Sequence, residues 1–557
     1  MFLLRAALIV LVALSASVAA APANRDAITR YADTMLAEHF ATDEPGAVVL
    51  VAQGDEVIYR GARGSASLEL GVALSPDHVF RLGSITKQFA AAGVLKLVEA
   101  GKVSLDDPLT KFVPGYPGGE KVTVRMLLNH TSGIRSYTDV PGRMDSLIQK
   151  DMTTKELIDS FKDEKADFAP GAEWNYNNSG YVLVGAVIES ASGLPWYEYL
   201  DQTLFQPLQL KHTGSGDATK AVIAGHVGGY SLAGDRWAEA HYLSMTQPHA
   251  AGSLISSVDD LLRWNRALHA GTLLTKNNYR QMITPLGKAV GKKYGFGIEH
   301  TTLRGKDVLK HGGGINGFNT ELIYLPESVT TVVVLENYDS GRKGMIGASE
   351  LAHRLAAFAI GNPYPERKAI PLDADTLKGY EGVYRFDKDS FRVVRVVDGK
   401  LTSIRTGGSK HMMIPIARDN FLLDKGLSRV QFERKGNGKV VAMRVFENDE
   451  GKGDRVARTE ESLPPERVSI TVPEATMKRI AGTYTHDGST LTIAITGTGM
   501  TAQMGDQSAL ELLAESATRF FLKDVDVTLE FPAGDAPAAS VTSRQGGETT
   551  TLQRVPK

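Results

Sequence analysis

A serine placed three residues before a lysine, at the entrance to a helical stretch, can be acylated. Ser84-Ile85-Thr86-Lys87 runs straight into Gln88-Phe89-Ala90-Ala91-Ala92. Residues i and i+3 share a helix face, which sets the Ser84 hydroxyl beside the Lys87 amine. The start of that helix adds unpaired N–H groups and a partial positive charge, both suited to a developing oxyanion. Two other segments carry groups of the same kind. Tyr176 and Asn178 stand two apart in a loop rich in Pro, Gly, Asn and Ser, and on extended backbone they point the same way. His311-Gly312-Gly313-Gly314 reads as a strand, where glycines permit close approach of a substrate backbone and an amide N–H can serve as the second oxyanion donor.

Each segment alone is a weak signal. Ser340-Gly341-Arg342-Lys343 repeats the serine–lysine spacing in a predicted loop. Tyr176 by itself reads as a packing residue in a turn. Gly312, Gly314 and Gly317 match GxGxxG, but the strand Thr320–Leu325 follows where a dinucleotide site needs a helix. GxSxG, the mark of a nucleophile elbow, is absent. The reason for pairing Lys87 with Tyr176 is quantitative. Free lysine titrates near ~10.4 and tyrosine near ~10, and bringing either close to neutral costs roughly 4 kcal/mol. A buried pair sharing a proton titrates as a unit, and either member fits the base.

The elements around these groups follow from periodicity. Gly46–Tyr59 alternates like a hairpin turning at Gly54-Asp55. Phe89–Val98 and Tyr181–Ala191 carry apolar residues at helical spacing, the second closed by Gly193. Leu254–Leu268 reads as a third helix with Ser257 as N-cap and Asp259 and Asp260 in its first turn. Tyr294–Glu299, Val308–Gly312 and Thr320–Leu335 read as neighbouring strands. The class is α+β: a mixed antiparallel sheet flanked by helices. His130 and Glu173 read as ordering residues, and the four tryptophans as core or cleft wall.

Beyond residue 365 short alternating strands replace helices. Leu377-Lys378-Gly379-Tyr380-Glu381-Gly382-Val383-Tyr384 aligns with Met477-Lys478-Arg479-Ile480-Ala481-Gly482-Thr483-Tyr484. Each copy fits a small closed β-barrel, which leaves no exposed strand edge. The expected organisation is a leader over 1–20, a main domain over 21–365, and barrels over 371–461 and 466–557, joined at Ser462-Leu463-Pro464-Pro465. The tail serves either to stabilise the main domain or to cover a cleft mouth.

Composition removes other classes. The 557 residues leave room for roughly three or four domains. Lys+Arg 62 against Asp+Glu 64 gives a net charge of −2, without the basic excess of a nucleic-acid binder. The chain has no cysteine, so disulfides, thiol nucleophiles, iron–sulfur clusters and a lipoprotein anchor are excluded. It has no HExxH either, and no metal or organic cofactor is implied. No run of ~18 apolar residues interrupts the body of the chain, so no membrane span is expected once the leader is cleaved. That leader has Arg5, an apolar run Ala6–Leu14, and Val18 and Ala20 before the cleavage point, which implies a periplasmic or extracellular protein.

Taken together and in this order, the three motifs resemble the penicillin-recognising serine hydrolases: class C β-lactamases, DD-peptidases, D-aminopeptidases and related esterases. Met126-Leu127-Leu128-Asn129-His130-Thr131-Ser132-Gly133, Tyr294-Gly295-Phe296-Gly297 and Gly313-Gly314-Ile315-Asn316-Gly317-Phe318 are similar to that family too. The resemblance implies Ser84 as the acylated nucleophile, with Lys87 and Tyr176 sharing the base. Asn178 would hold Lys87 or the substrate amide. His311 takes a place often held by lysine, and the N–H groups of Ser84 and Gly314, beside Gly313, would form the oxyanion hole. Implied substrates are small peptides, amides, esters or β-lactams, peptidoglycan fragments among them. A catalytic domain followed by two barrels, with His-Gly-Gly, looks most like the D-aminopeptidases.

Overall fold

Ala47–Ala52 is apolar at every position, and such a strand is stable only with both faces covered. In the computed structural model it lies in β1 (Ala47–Gln53), an interior strand of a six-stranded antiparallel sheet. The structure describes residues 24–555, apart from 141–147, 218–221, 343, 389, 425, 487–488, 498 and 505–508. The leader expected over 1–20 lies outside the described residues.

The hairpin partner is β2 (Glu56–Arg63), turning at Gly54-Asp55. The other strands are β3 (Glu299–Leu303), β4 (Lys306–Ile315), β5 (Phe318–Leu325) and β6 (Thr330–Glu336), giving the order β3-β4-β5-β6-β1-β2. Period-two alternation divides β1 between two cores. Ala47, Val49 and Val51 pack with α1 (Arg25–His39) and a late helix, Ala348–Ala359. Val48, Leu50 and Ala52 pack on the other side, with α2 (Thr86–Glu99), α3 (Asn178–Ser192) and α4 (Val258–His269). Helices α2 and α3 are buried almost all round, as helices inside a large core must be. Phe89 of α2 stacks on Trp264 of α4 with ring centres 3.9 Å apart.

Three element boundaries differ from the expectation. Leu254–Ser256 is a short strand, and the helix starts after its Ser257 cap, whose side chain accepts the Asp260 N–H. Thr320–Leu335 is two strands, β5 and β6, separated by a turn at 326–329. Of Tyr294–Glu299 only Glu299 is strand, the first residue of β3, and 294–298 is a turning loop before it: a Cβ on Gly295 would meet the Met282 carbonyl at 2.1 Å, and one on Gly297 would meet that of Lys87 at 2.7 Å. Apolar content suggested a strand there, but contact with neighbouring backbone set the conformation.

The tail forms two closed eight-stranded antiparallel barrels, the first from Gly382 to Arg458 and the second from Gly482 to Arg554. The aligned repeat is structural. Tyr384 donates its O–H to the Tyr380 carbonyl at 2.7 Å, and Tyr484 donates to that of Ile480 at 2.7 Å. In each barrel an arginine of the last strand, Arg458 or Arg554, bonds the carbonyl of Glu381 or Ala481 beside the first strand. The first barrel meets the α1 layer, which lies across the sheet from α2. Its Leu427 joins the core of that layer, and Glu450 accepts the Arg304 N–H at 2.6 Å in the turn between β3 and β4.

Candidate active site

Ser84 lies in a single 3-10 turn, Gly83–Ile85, that continues into α2. Two glycines set how closely β4 can approach it. Gly83 has φ +53, and a Cβ there would come within 2.9 Å of the Gly314 nitrogen. A Cβ on Gly313 would come within 2.0 Å of the Leu82 carbonyl oxygen. The Gly313 approach is therefore to the chain's own backbone, whereas Gly314 is exposed and finds only Asn319 Oδ1, at 3.6 Å. The Thr320 hydroxyl pins the same junction by donating to the Leu82 carbonyl at 2.9 Å. Strand β3 pairs with β4 only as far as Lys310, so His311–Ile315 is paired on the β5 side and unpaired on the β3 side.

Lys87, the second residue of α2 and one turn on from Ser84, is fully buried. Its Nζ is 3.0 Å from Ser84 Oγ, 2.9 Å from Asn178 Oδ1 and 2.9 Å from the Ala251 carbonyl oxygen. Burial without a counter-charge drives its pKa well below the ordinary lysine value. The Tyr176 ring lies beside it, with Nζ 4.7 Å from the ring centre. Burial raises the Tyr176 phenol, and its hydrogen bond with Ser84 pulls the other way.

Asn178 is the first residue of α3. The cap before it, Asn177, accepts the Gly180 N–H at 2.6 Å. Asn178 Nδ2 donates to Thr138 Oγ1 at 3.1 Å, which fixes the amide so that Oδ1 faces Lys87. The starts of two buried, adjacent helices thus bring Ser84, Lys87 and Asn178 together.

His311 is buried against Tyr294. Its Nδ1 lies 2.6 Å from the Gly312 carbonyl, which can only accept, so Nδ1 carries the proton. Burial, reinforced by Lys87, lowers its pKa. In that neutral form Nε2 accepts the Tyr294 O–H at 2.8 Å. The position that could have presented a fixed cation holds an uncharged ring with both nitrogens engaged.

Ser84, Lys87, Tyr176, Asn178, His311 and Gly314 converge, and Gly313 forms the junction beneath them. Ser340 is occupied elsewhere: its hydroxyl accepts the Leu232 N–H at 3.0 Å and donates to Asp339, while Lys343 lies outside the described residues. Sequence reasoning did not find the Ala251 carbonyl or the Thr138 hydroxyl. It noted Tyr294 only as part of a motif. Among the described residues no cluster of three or more His, Asp or Glu could hold a metal, and no helix is long and apolar enough to cross a membrane.

Comparison with known proteins agrees with this arrangement. A model of the Beta-lactamase family matches residues 28–357. Penicillin-binding protein 4* of Bacillus subtilis (strain 168) is 25% identical over 436 residues, spanning 74% of this chain and 94% of that protein. A D-aminopeptidase of Gluconobacter oxydans (strain 621H) is 26% identical over 535 residues, or 91% of this chain and 93% of that one. Among solved structures, a D-stereospecific amidohydrolase from Streptomyces sp. superposes with a TM-score of 0.51 at 31% identity, covering 57% of this chain and 95% of its own.

Proposed function

We propose, on the premise that this chain belongs to the Beta-lactamase family, that it is an exported enzyme cleaving amide or ester bonds through an acyl-enzyme on Ser84. Its substrates are small D-amino-acid peptides or amides. That it is a serine hydrolase follows from the family. The observation that carries the finer reading is the Lys87 amine. A neutral amine has two hydrogens and one lone pair. Lys87 has two oxygens that can only accept, Asn178 Oδ1 and the Ala251 carbonyl. With both hydrogens given to them, the lone pair faces the Ser84 hydroxyl.

In this reading Ser84 Oγ attacks the substrate carbonyl carbon while its proton passes to Lys87 Nζ. The carbonyl oxygen becomes an oxyanion against the N–H groups of Ser84 and Gly314. Each such donor is worth about 10²–10³ in rate. Collapse breaks the C–N or C–O bond, and the leaving amine or alcohol takes the proton from Lys87, with the Tyr176 phenol as relay. Water then attacks the Ser84 ester carbonyl while its proton goes to Lys87; collapse breaks the bond between the acyl carbon and Ser84 Oγ, and Lys87 returns the proton to Oγ as the acid leaves. Burial keeps the Tyr176 phenol protonated at neutral pH, which fits a relay and leaves the first abstraction to Lys87. The neutral His311 offers no fixed charge for a substrate carboxylate, which favours amides over penicillin-like acids. Similarity to a D-aminopeptidase across both the main domain and the tail supports the substrate class. The Arg5, Ala6–Leu14 and Val18-Ala19-Ala20 pattern supports export.

Fluorophosphonate labelling followed by peptide mapping tests the nucleophile. Label on Ser84, abolished by Ser84→Ala, is expected; label on Ser340 would overturn the assignment. A screen of D-alanine amide, L-alanine amide, D-Ala-D-Ala peptides, nitrocefin and a short ester tests the substrate. Steady turnover of the D-amide is expected. A burst without turnover would favour a penicillin-binding protein, as the Bacillus subtilis relative is named.

A further inference from the structure

His130 is neither glycine nor asparagine, yet its backbone is left-handed, with φ +62. That conformation turns two acceptors toward one short segment. The His130 carbonyl accepts the Asn175 N–H at 3.1 Å, and its imidazole Nδ1 accepts the Asn177 N–H at 3.1 Å. One residue therefore grips the chain on both sides of Tyr176. Its ring also lies against the Tyr176 ring, with centres 4.4 Å apart.

An Nδ1 that accepts leaves the imidazole proton on Nε2. That nitrogen is buried without a hydrogen-bond partner, and the rings of Tyr294, Tyr181 and Trp174 stand around the imidazole at 4.7, 5.3 and 5.9 Å. A strained backbone and an orphaned donor both cost stability. Leucine or phenylalanine would fill an apolar niche without the orphan, so the grip itself is what distinguishes histidine here. The residues after His130 extend it. Asn177 Nδ2 donates to the Ile134 carbonyl, Asn178 N–H to Ser136 Oγ at 3.1 Å, and Asn178 Nδ2 to Thr138 Oγ1.

We propose that His130 is a positioning residue for acylation: its carbonyl and Nδ1 hold the Tyr176 segment so that the phenol and the Asn178 amide meet Lys87 and Ser84. The proposal rests on the acyl-enzyme reading above. It is separate from any direct part in the chemistry, since both of its acceptors are used on main-chain N–H groups.

The test compares the full chain with His130→Asn, His130→Gln and His130→Leu. Asparagine puts an oxygen near the place of Nδ1, glutamine puts its amide near Nε2, and leucine has no acceptor. The readouts are the burst rate with a chromogenic ester, KM, and the melting temperature. Misplacement by about 1 Å can cost on the order of 10²-fold. His130→Leu is therefore expected to acylate about 10- to 100-fold more slowly with KM little changed, and His130→Asn to recover most of that loss. His130→Gln should stay slow. A folded His130→Leu with the wild-type burst rate would overturn the proposal. So would equal rates for the Asn and Gln variants, a comparison that holds even if the Leu variant fails to fold. A wild-type chain that takes no label at Ser84 would instead remove the acyl-enzyme reading, and the proposal with it.

Discussion

In the proposed mechanism the Lys87 amine is the base, and it is also unfavourably buried, so chemistry and stability should separate when it is removed. Lys87→Met takes away a general base worth about 10²–10⁴ in rate. It also relieves the desolvation of a buried amine while leaving Asn178 Oδ1 and the Ala251 carbonyl unpaired, two effects of opposite sign. The expected outcome is a loss of turnover of at least about 10²-fold with a melting temperature within a few degrees of wild type, read by ester kinetics and calorimetry. A collapse in melting temperature without loss of turnover would make Lys87 structural. At this scale the sequence was informative where chemistry follows side-chain type and helical spacing, as at Ser84 and Lys87. It was silent on Ala251, because a main-chain carbonyl has no signature in residue identity. His130 was read as an ordering residue, but its left-handed backbone could not be seen.

At the scale of elements, the approach of β4 to Ser84 makes a contrast between adjacent glycines. Gly313→Ala would drive a methyl group against the Leu82 carbonyl, whereas Gly314→Ala would make only an ordinary contact with Asn319 Oδ1. Overpacking of this kind costs about 1–3 kcal/mol or more. Gly313→Ala should lower the melting temperature and Gly314→Ala should leave it nearly unchanged; equal values would place the strand elsewhere. The barrels offer a matched pair. Tyr384→Phe deletes one buried O–H bond to a carbonyl four residues earlier and should cost about 1 kcal/mol in denaturant melts, and Tyr484→Phe, which deletes the same bond and also the one its oxygen accepts from Arg554 at 3.2 Å, should cost more. Strongly periodic segments such as α2 and the β1–β2 hairpin were legible in the sequence. Leu254–Ser256 and Tyr294–Glu299 were misread, because pairing partners and backbone contacts far along the chain decided their conformation.

For the molecule as a whole, buried imidazoles set the response to acid. Burial pushes His226 down to about 4 and His249 and His269 down to about 3, and lowers His130 and His311 as well. These rings stay neutral when folded, while an unfolded chain protonates them near 6.5. Below that pH the unfolded state binds more protons, so stability declines as pH falls from about 6.5 toward 4. For His226, His249 and His269 the loss is roughly 2 kcal/mol each by pH 5. Glu336, buried and raised well above its usual range, works in the opposite direction and reduces the net loss. Urea melts at pH 7 and pH 5 should therefore show a clearly lower midpoint at pH 5, and a flat profile would contradict the neutral imidazoles. The double-barrel tail was visible at this scale because a repeat survives in the residue order. The side of the sheet on which the first barrel docks was not, since it rests on single contacts such as Leu427 and Glu450.

The twin latches, Arg458 onto Glu381 and Arg554 onto Ala481, have a kinetic consequence. Two look-alike modules on one thread invite a closing strand to clasp its sister's opening strand when a denatured chain collapses all at once. Emergence of the chain N-terminal end first, as in synthesis or threading across a membrane, gives the earlier module time to shut before the later one arrives. Order of arrival then does what the similar ends cannot, and tells the two rings apart.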